Sequence, residues 1–518
     1  MNEPTRKPRI LIICTHFHQD RSYKREKITL QTMAGLHVAS TIDTQKYDIK
    51  LYHESYHGPY DITRPDDADL VFLTGLQKDF DRMRQLSYIF QKRGAFVVGG
   101  GNICTLFPEF ATEFFNVVSA RGVECTVEIL RDFEAGKLKR IYRSPQIQVS
   151  NYTVKYELLA DNGIHPAGHF VEASRGCNFK CDFCVIPAEG ANHATYRIDT
   201  VVRSIERAIS TSPKLSIRRL FSNIFFIDNN FSNNLPYMAE LCSYLKQSPK
   251  VKVWGALITQ NMLRKRDIIA NMARSKCRIL FTGIESFDNN FLDRHNKKQN
   301  TINIDSVLDD IRFAQKQGIV ITYPYMFDPR VSSVADMKKE IEMLVDLDDL
   351  TFPLFLTTVS PLVGTKLFWE SAQKGELLPN LRLRDLDGQT LAYRHTIDSQ
   401  QAYSEFFTLL FRNIMKLVDR KKLVWNLLKK TWNMGWNHPV SMYSFYTSSF
   451  TYINETKNCS PEVIRNYIGG KDVLDPQYDR YPDDITPSDK ARYFDPIEIT
   501  DANGDLCSWL KRYKPTLT

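Results

Sequence analysis

The chain has 518 residues, 43% of them hydrophobic and 25% charged, with a formal net charge of +8. That length suits two or three domains with buried cores, and the composition excludes a fibrous or disordered chain. The charge is too mild to call for nucleic acid, and no apolar run reaches the length of a membrane span. The opening MNEPTRKPRILIIC carries no signal-peptide pattern, so a cytosolic, reducing setting is expected, where unpaired thiolates persist.

From Arg9 to about Arg143, short apolar runs alternate with helical stretches. RILIIC (9–14), YDIKLYH (47–53), DLVFLTG (69–75) and AFVVGG (95–100) read as buried parallel strands. REKITLQTMAGLHVAS and FDRMRQLSYIFQKRG between them carry apolar residues at helical spacing. An open, Rossmann-like parallel sheet is therefore expected over residues 1–143, with its ligand beyond the carboxyl ends of the strands. Those ends carry CTHFHQD, TGLQ and GGGNICT. Glycines there let a bulky ligand approach the backbone, although tight turns alone also explain Gly99-Gly100-Gly101.

A polar linker (144–168) precedes six further strands: HFVEAS (169–174), NIFFID (223–228), VKVWGALI (251–258), CRILFTGI (277–284), GIVITYPYMF (318–327) and PLFLTTVS (353–360). Helical segments such as TVVRSIERAIS, LPYMAELCSYLKQ and ADMKKEIEMLVDL separate them. The fold class is thus α/β, with a partial (β/α)6 barrel over residues 169–375 and chemistry at its carboxyl edge. Residues 376–518 read as a mainly helical, substrate-covering region.

Three of the 10 cysteines fall in SRGCNFKCDFC (174–184). A zinc site takes four ligands from paired hooks, and the chain has no second CxxC hook. Three thiolates on one short loop suit an iron–sulfur cube with one open iron, which can hold a small chelating ligand. A loop of free cysteines is the plain alternative.

CNFKCDFC (177–184) resembles the CxxxCxφC signature of the radical S-adenosylmethionine (SAM) enzymes, with Phe183 in the aromatic position. FFIDNNF (225–231) and GIES (283–286) resemble the second- and fourth-strand segments of that family. SPLVGTKLF (360–368) resembles the PxPGT-like barrel ending of its cobalamin-associated branch, with Val363 where proline is usual, and YELLADNG is also typical of that branch. The resemblance implies a [4Fe-4S] cluster on Cys177, Cys181 and Cys184, its open iron chelated by SAM. It also implies SAM contacts from Phe183 (adenine), Asp228, Glu285 (ribose) and Ser286. Plainer roles for these are loop packing for Phe183, a helix cap for Asp228 and a rim salt bridge for Glu285.

The first sheet, placed before such a barrel, resembles the cobalamin-binding domain of the same branch. Thr74, Gly75, Gly99, Gly100 and Gly101 are the corresponding cobalamin contacts, and ARGVECTVEIL (120–130) resembles a degenerate form of its GEGE-containing segment. The DxHxxG motif that supplies a cobalt-ligating histidine is absent, and neither His16 nor His18 has its flanks. A domain that binds no corrinoid is the alternative. Cys14, Cys104 and Cys125 lie near the same edge; they read as small buried thiols, or as ligands of a second cluster like that of the tRNA methylthiotransferases. TGLQ stands where that pattern needs its middle cysteine, and no RNA-binding β-module follows.

Residues 411–436 mix seven basic residues with three tryptophans. Such a face can lie on a membrane and suit a lipid substrate, but the preferred reading packs its apolar side on the barrel. The aromatics of 440–452 are candidates to line a substrate cavity. The expected function is cobalamin-assisted methylation of an unactivated carbon in a small-molecule, lipid-like or tetrapyrrole-like substrate, with flavodoxin or ferredoxin as electron donor. Radical rearrangement, cyclisation or oxidation is the alternative, followed by tRNA methylthiolation and a non-catalytic cluster protein.

Overall fold

Strands buried on both faces need helices above and below them, and the first domain is built that way. The computed structural model describes residues 6–17, 32–64, 66–144, 152–166, 168–190, 192–211, 223–300, 303–347, 350–412, 414–434 and 480–513. Arg9–Cys14, Asp48–His53, Leu70–Gly75, Phe96–Gly101, Val117–Ala120 and Ile141–Arg143 form one parallel sheet in the order 2-1-3-4-5-6. The central strands are almost wholly buried, as a sheet covered on both faces requires. Strand order reverses between the first and third strands, where a crevice opens beyond their carboxyl ends. Register sets Cys14 beside Thr74 and Gly75 beside Gly101. Gly101 has φ +102°, and a Cβ there would run into the Gly75 carbonyl oxygen.

The barrel begins with His169–Val171, Asn223–Phe226, Val253–Thr259, Cys277–Gly283 and Val320–Thr322, parallel and in sequential order. The fifth strand breaks at Tyr323, resumes as Pro324–Phe327 and pairs in parallel with Phe355–Thr358. Proline has no N–H to give the ladder, so Pro324 marks the break, and the Tyr323 carbonyl instead accepts from Leu354 N at 2.8 Å. All six expected barrel strands form. Three of their helices start at side-chain caps: Asn234 accepts from Tyr237 N, Asn303 from Asp305 N, and Ser333 forms a capping box with Asp336.

Beyond the barrel lie helices Gln400–Arg412 and Arg420–Met434. The expected apolar packing of the second is a correction. Leu423 is buried, but Val424, Trp425, Leu428 and Trp432 face outward. The aromatic stretch 440–452, His18 and Cys459 lie outside the described residues.

The tail does something no sequence pattern announced. Residues 480–513 return to the first domain and cover helix Phe80–Lys92. Trp509 stacks on Phe110 at 4.3 Å, and Tyr88 meets Tyr493 and Phe494 at 5.2 and 5.5 Å. Asp81 is fully buried between Arg84 and Arg384, each 2.7 Å away, and Arg84 also donates to the Asp495 carbonyl at 2.7 Å.

Domain and barrel are fastened again at Gln77 of TGLQ. Its side-chain amide donates to the Val363 carbonyl at 2.7 Å, and its oxygen accepts from Val363 N at 3.0 Å. This accounts for valine at the position where proline is usual: proline could not supply that N–H.

Candidate active site

The cysteine loop leaves the first barrel strand through a short antiparallel pairing of Ser174–Arg175 with Ala194–Thr195. Gly176, at φ +83°, then turns the chain into Cys177. The second barrel strand anchors this approach. Asp228 accepts from Ala173 N at 2.9 Å and from Ser174 Oγ at 2.5 Å, while Asn229 accepts from Gly176 N at 2.9 Å. Burial pushes the Asp228 carboxyl up to about 7, against the pull of those donors. Asn234, not Asp228, caps the following helix.

Segment 295–300, HNKKQN, grips the loop from the other side. Asn296 Nδ2 donates to the Lys180 carbonyl at 2.8 Å, and Gln299 Nε2 lies 3.7 Å from Cys181 Sγ. His295 is fully buried, with Asp182 3.1 Å from Nδ1 and Asp328 3.3 Å from Nε2. Arg330 holds Asp328 at 2.8 Å. Lys297 pairs with Glu285, and its ammonium sits 5.5 Å from the centre of the Phe183 ring. The three thiols are partly buried. Burial pushes Cys184 up to about 12 and raises Cys181, with Lys297 opposing both. Buried thiolates of this kind need a compensating charge, which iron supplies. Among the described residues, no three His, Cys, Asp or Glu side chains form a group that could hold a metal ion. The three thiols share one short loop, the donor set that a cluster would take.

A cavity of about 350 Å³ separates the carboxyl edge of the first sheet from the barrel. Thr74, Gly75, Gly100 and Gly101 line one wall, and Glu172, Arg175, Gly176 and Asn229 line the other. Gly100 is the open member of the cradle: the nearest atom to a Cβ there would be Leu73 O at 3.9 Å. A charged network closes the far end. Tyr152 Oη lies 2.7 Å from His37 Nδ1, Glu172 lies 3.5 Å from His37 Nε2, and Arg175 donates to Glu172 at 2.7 Å and to Glu124 at 3.3 Å. Asn102 Nδ2 also donates across the domains to Glu189 at 2.5 Å, where burial pushes the carboxyl up to about 7.

Residues 171–346, which contain the cysteine loop and its grip, match the model of the Radical SAM superfamily. They form a radical SAM domain. The chain is 23% identical over 355 residues to the bacteriochlorophyllide d C-8(2)-methyltransferase of Chlorobaculum tepidum, covering 66% of this chain and 76% of that one. It is 26% identical over 282 residues to the C-12(1)-methyltransferase of the same organism, covering 53% and 59%. Among solved structures, TsrM from Kitasatospora setae with cobalamin and a [4Fe-4S] cluster bound gives a TM-score of 0.54 at 13% identity, over 72% of this chain and 79% of that one. OxsB, a cobalamin-dependent SAM radical enzyme with aqua-cobalamin bound, gives 0.57 at 13%, over 87% and 80%. At that identity the likeness is one of fold, and it spans both the first domain and the barrel.

The radical SAM domain implies a cluster and SAM at the cysteine loop, and the three thiols there fit the cluster. Cys177, Cys181 and Cys184 share one loop braced on both flanks. Phe183 packs edge-on against His295 at 5.8 Å. Glu285 has φ +69° and pairs with Lys297, the arrangement of a rim salt bridge. Ser286 Oγ accepts from Asp288 N at 3.0 Å. The open space above Gly100 is one that a bulky ligand approaching the backbone would need, and a Cβ there would enter it. Gly99 is a correction: it is absent from the cavity wall, and a Cβ there would strike the Phe115 ring. His16 is buried with its N–H on Glu54, away from the cavity. Cys14, Cys104 and Cys125 are buried, and desolvation raises all three thiols, Cys14 to about 12.

Sequence reasoning passed over His295, Lys297, Gln299, Asp328 and Arg330. Asp328 had a usable signal, since it follows a barrel strand at its carboxyl end. The HNKKQN grip had none, because its partners are remote in the chain.

Proposed function

We propose that this radical SAM enzyme methylates an unactivated carbon of an apolar small molecule, tetrapyrrole-like or lipid-like, with a corrinoid in the cavity and SAM on the cysteine loop. One observation supports the reading: a single cavity runs from Gly100 of the first sheet to Gly176, the residue before Cys177, so a group on the first sheet would face the approach to the cysteine loop. A [4Fe-4S] cluster held by these thiols would supply the electron for reductive cleavage of SAM, and a corrinoid in the cavity would supply methyl transfer.

The chain's own residues divide the remaining work. Cys177, Cys181 and Cys184 hold the cluster, while Phe183, Glu285 and Ser286 frame SAM and Asp228 holds the loop approach. Thr74, Gly75, Gly100 and Gly101 cradle the corrinoid. His37 reaches the cavity with its ring engaged by Tyr152 and Glu172, so a corrinoid there would find no free ring nitrogen on it. Both Chlorobaculum tepidum relatives are named for bacteriochlorophyllide d, which favours a flat, apolar substrate. Residues 1–143 would form the corrinoid domain, 169–375 the radical barrel and 376–434 the covering region, while 480–513 pack on the first domain. The setting would be cytoplasmic, with a flavodoxin or ferredoxin as donor and a membrane surface within reach. No described helix is long and apolar enough to cross a membrane.

The test is anaerobic reconstitution followed by iron, sulfide and corrinoid quantitation. Stoichiometric cluster and corrinoid support the reading; a full cluster without corrinoid absorbance overturns it. Product analysis then separates methylation, which yields S-adenosylhomocysteine beside deoxyadenosine, from rearrangement, which yields deoxyadenosine alone.

A further inference from the structure

Helix Arg420–Met434 buries Leu423 and Asn426, and Asn426 Nδ2 donates to the Val345 carbonyl at 2.8 Å. Lys422 pairs with Asp346 at 2.7 Å at the half-exposed edge of that contact. The outer side is not what a solvent-facing helix presents. Trp425 is 68% exposed and Trp432 79%, with Leu428 at 55% between them. Their spacing of three and four residues puts them on one stripe. They are the two exposed tryptophans among the described residues. The helix carries five basic residues and no acidic one, and Lys421 and Lys429 are exposed on the same turns as the stripe.

We propose that this face seats on an anionic membrane surface. Tryptophan rings settle at headgroup level, where one end is apolar and the other wet. Lysine stems lie along apolar surface while their ammonium groups reach lipid phosphates. A helix with one sign of charge and an apolar stripe matches a negative lipid surface in both respects. The inference rests on the exposed face alone and stands whether or not a corrinoid binds. It gives the enzyme a place to collect a lipophilic substrate.

The experiment is co-sedimentation of the full-length protein with vesicles of phosphatidylcholine alone, or of equal parts phosphatidylcholine and phosphatidylglycerol. The expected result is binding to the anionic vesicles, weakened severalfold by raising salt to ~1 M. Trp425→Ser with Trp432→Ser lowers the partition coefficient about tenfold or more, with an unchanged melting midpoint. Val127→Ser, an exposed apolar site on the first domain, binds as the parent chain does. Failure to bind anionic vesicles overturns the proposal, as does unaltered binding by the tryptophan variant. So does a lowered melting midpoint in that variant, which would show the stripe covered by the chain's own residues.

Discussion

Replacing His295 with glutamine isolates the grip on the cysteine loop. The ring lies between Asp182 at 3.1 Å and Asp328 at 3.3 Å. Burial opposes its charged form, yet the two carboxylates outweigh burial and raise its pKa, so both contacts are charge-assisted. Asp328 keeps Arg330, which donates at 2.8 and 2.9 Å, so the loss falls on Asp182. Stripping a buried carboxylate of its charged partner costs about 3 kcal/mol, the low end of the range because the glutamine amide still donates one hydrogen bond. That converts to roughly a hundredfold in the equilibrium for opening the loop. The assay is iron release from anaerobically reconstituted protein to excess chelator, with far-ultraviolet circular dichroism as the control for folding. Release about a hundredfold faster, at unchanged helix content, is the expected result. Iron held as firmly as in the parent chain refutes the reasoning, because Asp182 would then owe nothing to His295.

Gly100→Leu fills the open part of the cradle and should cut corrinoid uptake about tenfold or more while leaving iron content intact, read from absorbance and iron assay. Lys297→Met leaves Glu285 buried without its ammonium, costs about 3 kcal/mol in denaturant unfolding, and removes positive charge near Cys181, which makes the cluster harder to reduce in a redox titration. Val363→Pro removes the N–H that Gln77 accepts and should destabilise the chain by about 1–3 kcal/mol, measured by its unfolding midpoint. Burial lowers His37 to about 4, so the folded protein holds its ring neutral where the unfolded chain protonates it. Its contribution is therefore complete above pH ~6.5 and falls as pH drops towards 4, by about 3 kcal/mol in all. Asp228, raised to about 7, acts in the opposite sense over the same window, so the readout is the difference between the parent chain and His37→Gln across a pH series.

Much of the architecture was legible because buried parallel strands read as plain apolar runs. RILIIC and DLVFLTG could be little else, and the Asn-Leu-Pro start of Leu235–Gln247 marks its own boundary. The cluster loop was legible for a simpler reason: its three sulfurs are neighbours in the chain. What surrounds it was not, since His295 meets partners 113 and 33 residues away, and no local pattern joins HNKKQN to Asp182 or to Asp328. Charge also misled. Asp81 and Arg84 look like the wet side of an amphipathic helix until Arg384 and the tail cover them. On Arg420–Met434 the tryptophans look like core until the structure turns them outward.

The return of the tail to helix Phe80–Lys92 means that the amino-terminal domain is not separable from the rest by cutting at its apparent boundary. A chain ending before residue 480 would bare the aromatic shelf of Tyr88 and Phe110 and leave Arg84 without the Asp495 carbonyl. Residues 480–513 thus act as a keystone for the first domain, holding the helix that covers one face of its sheet.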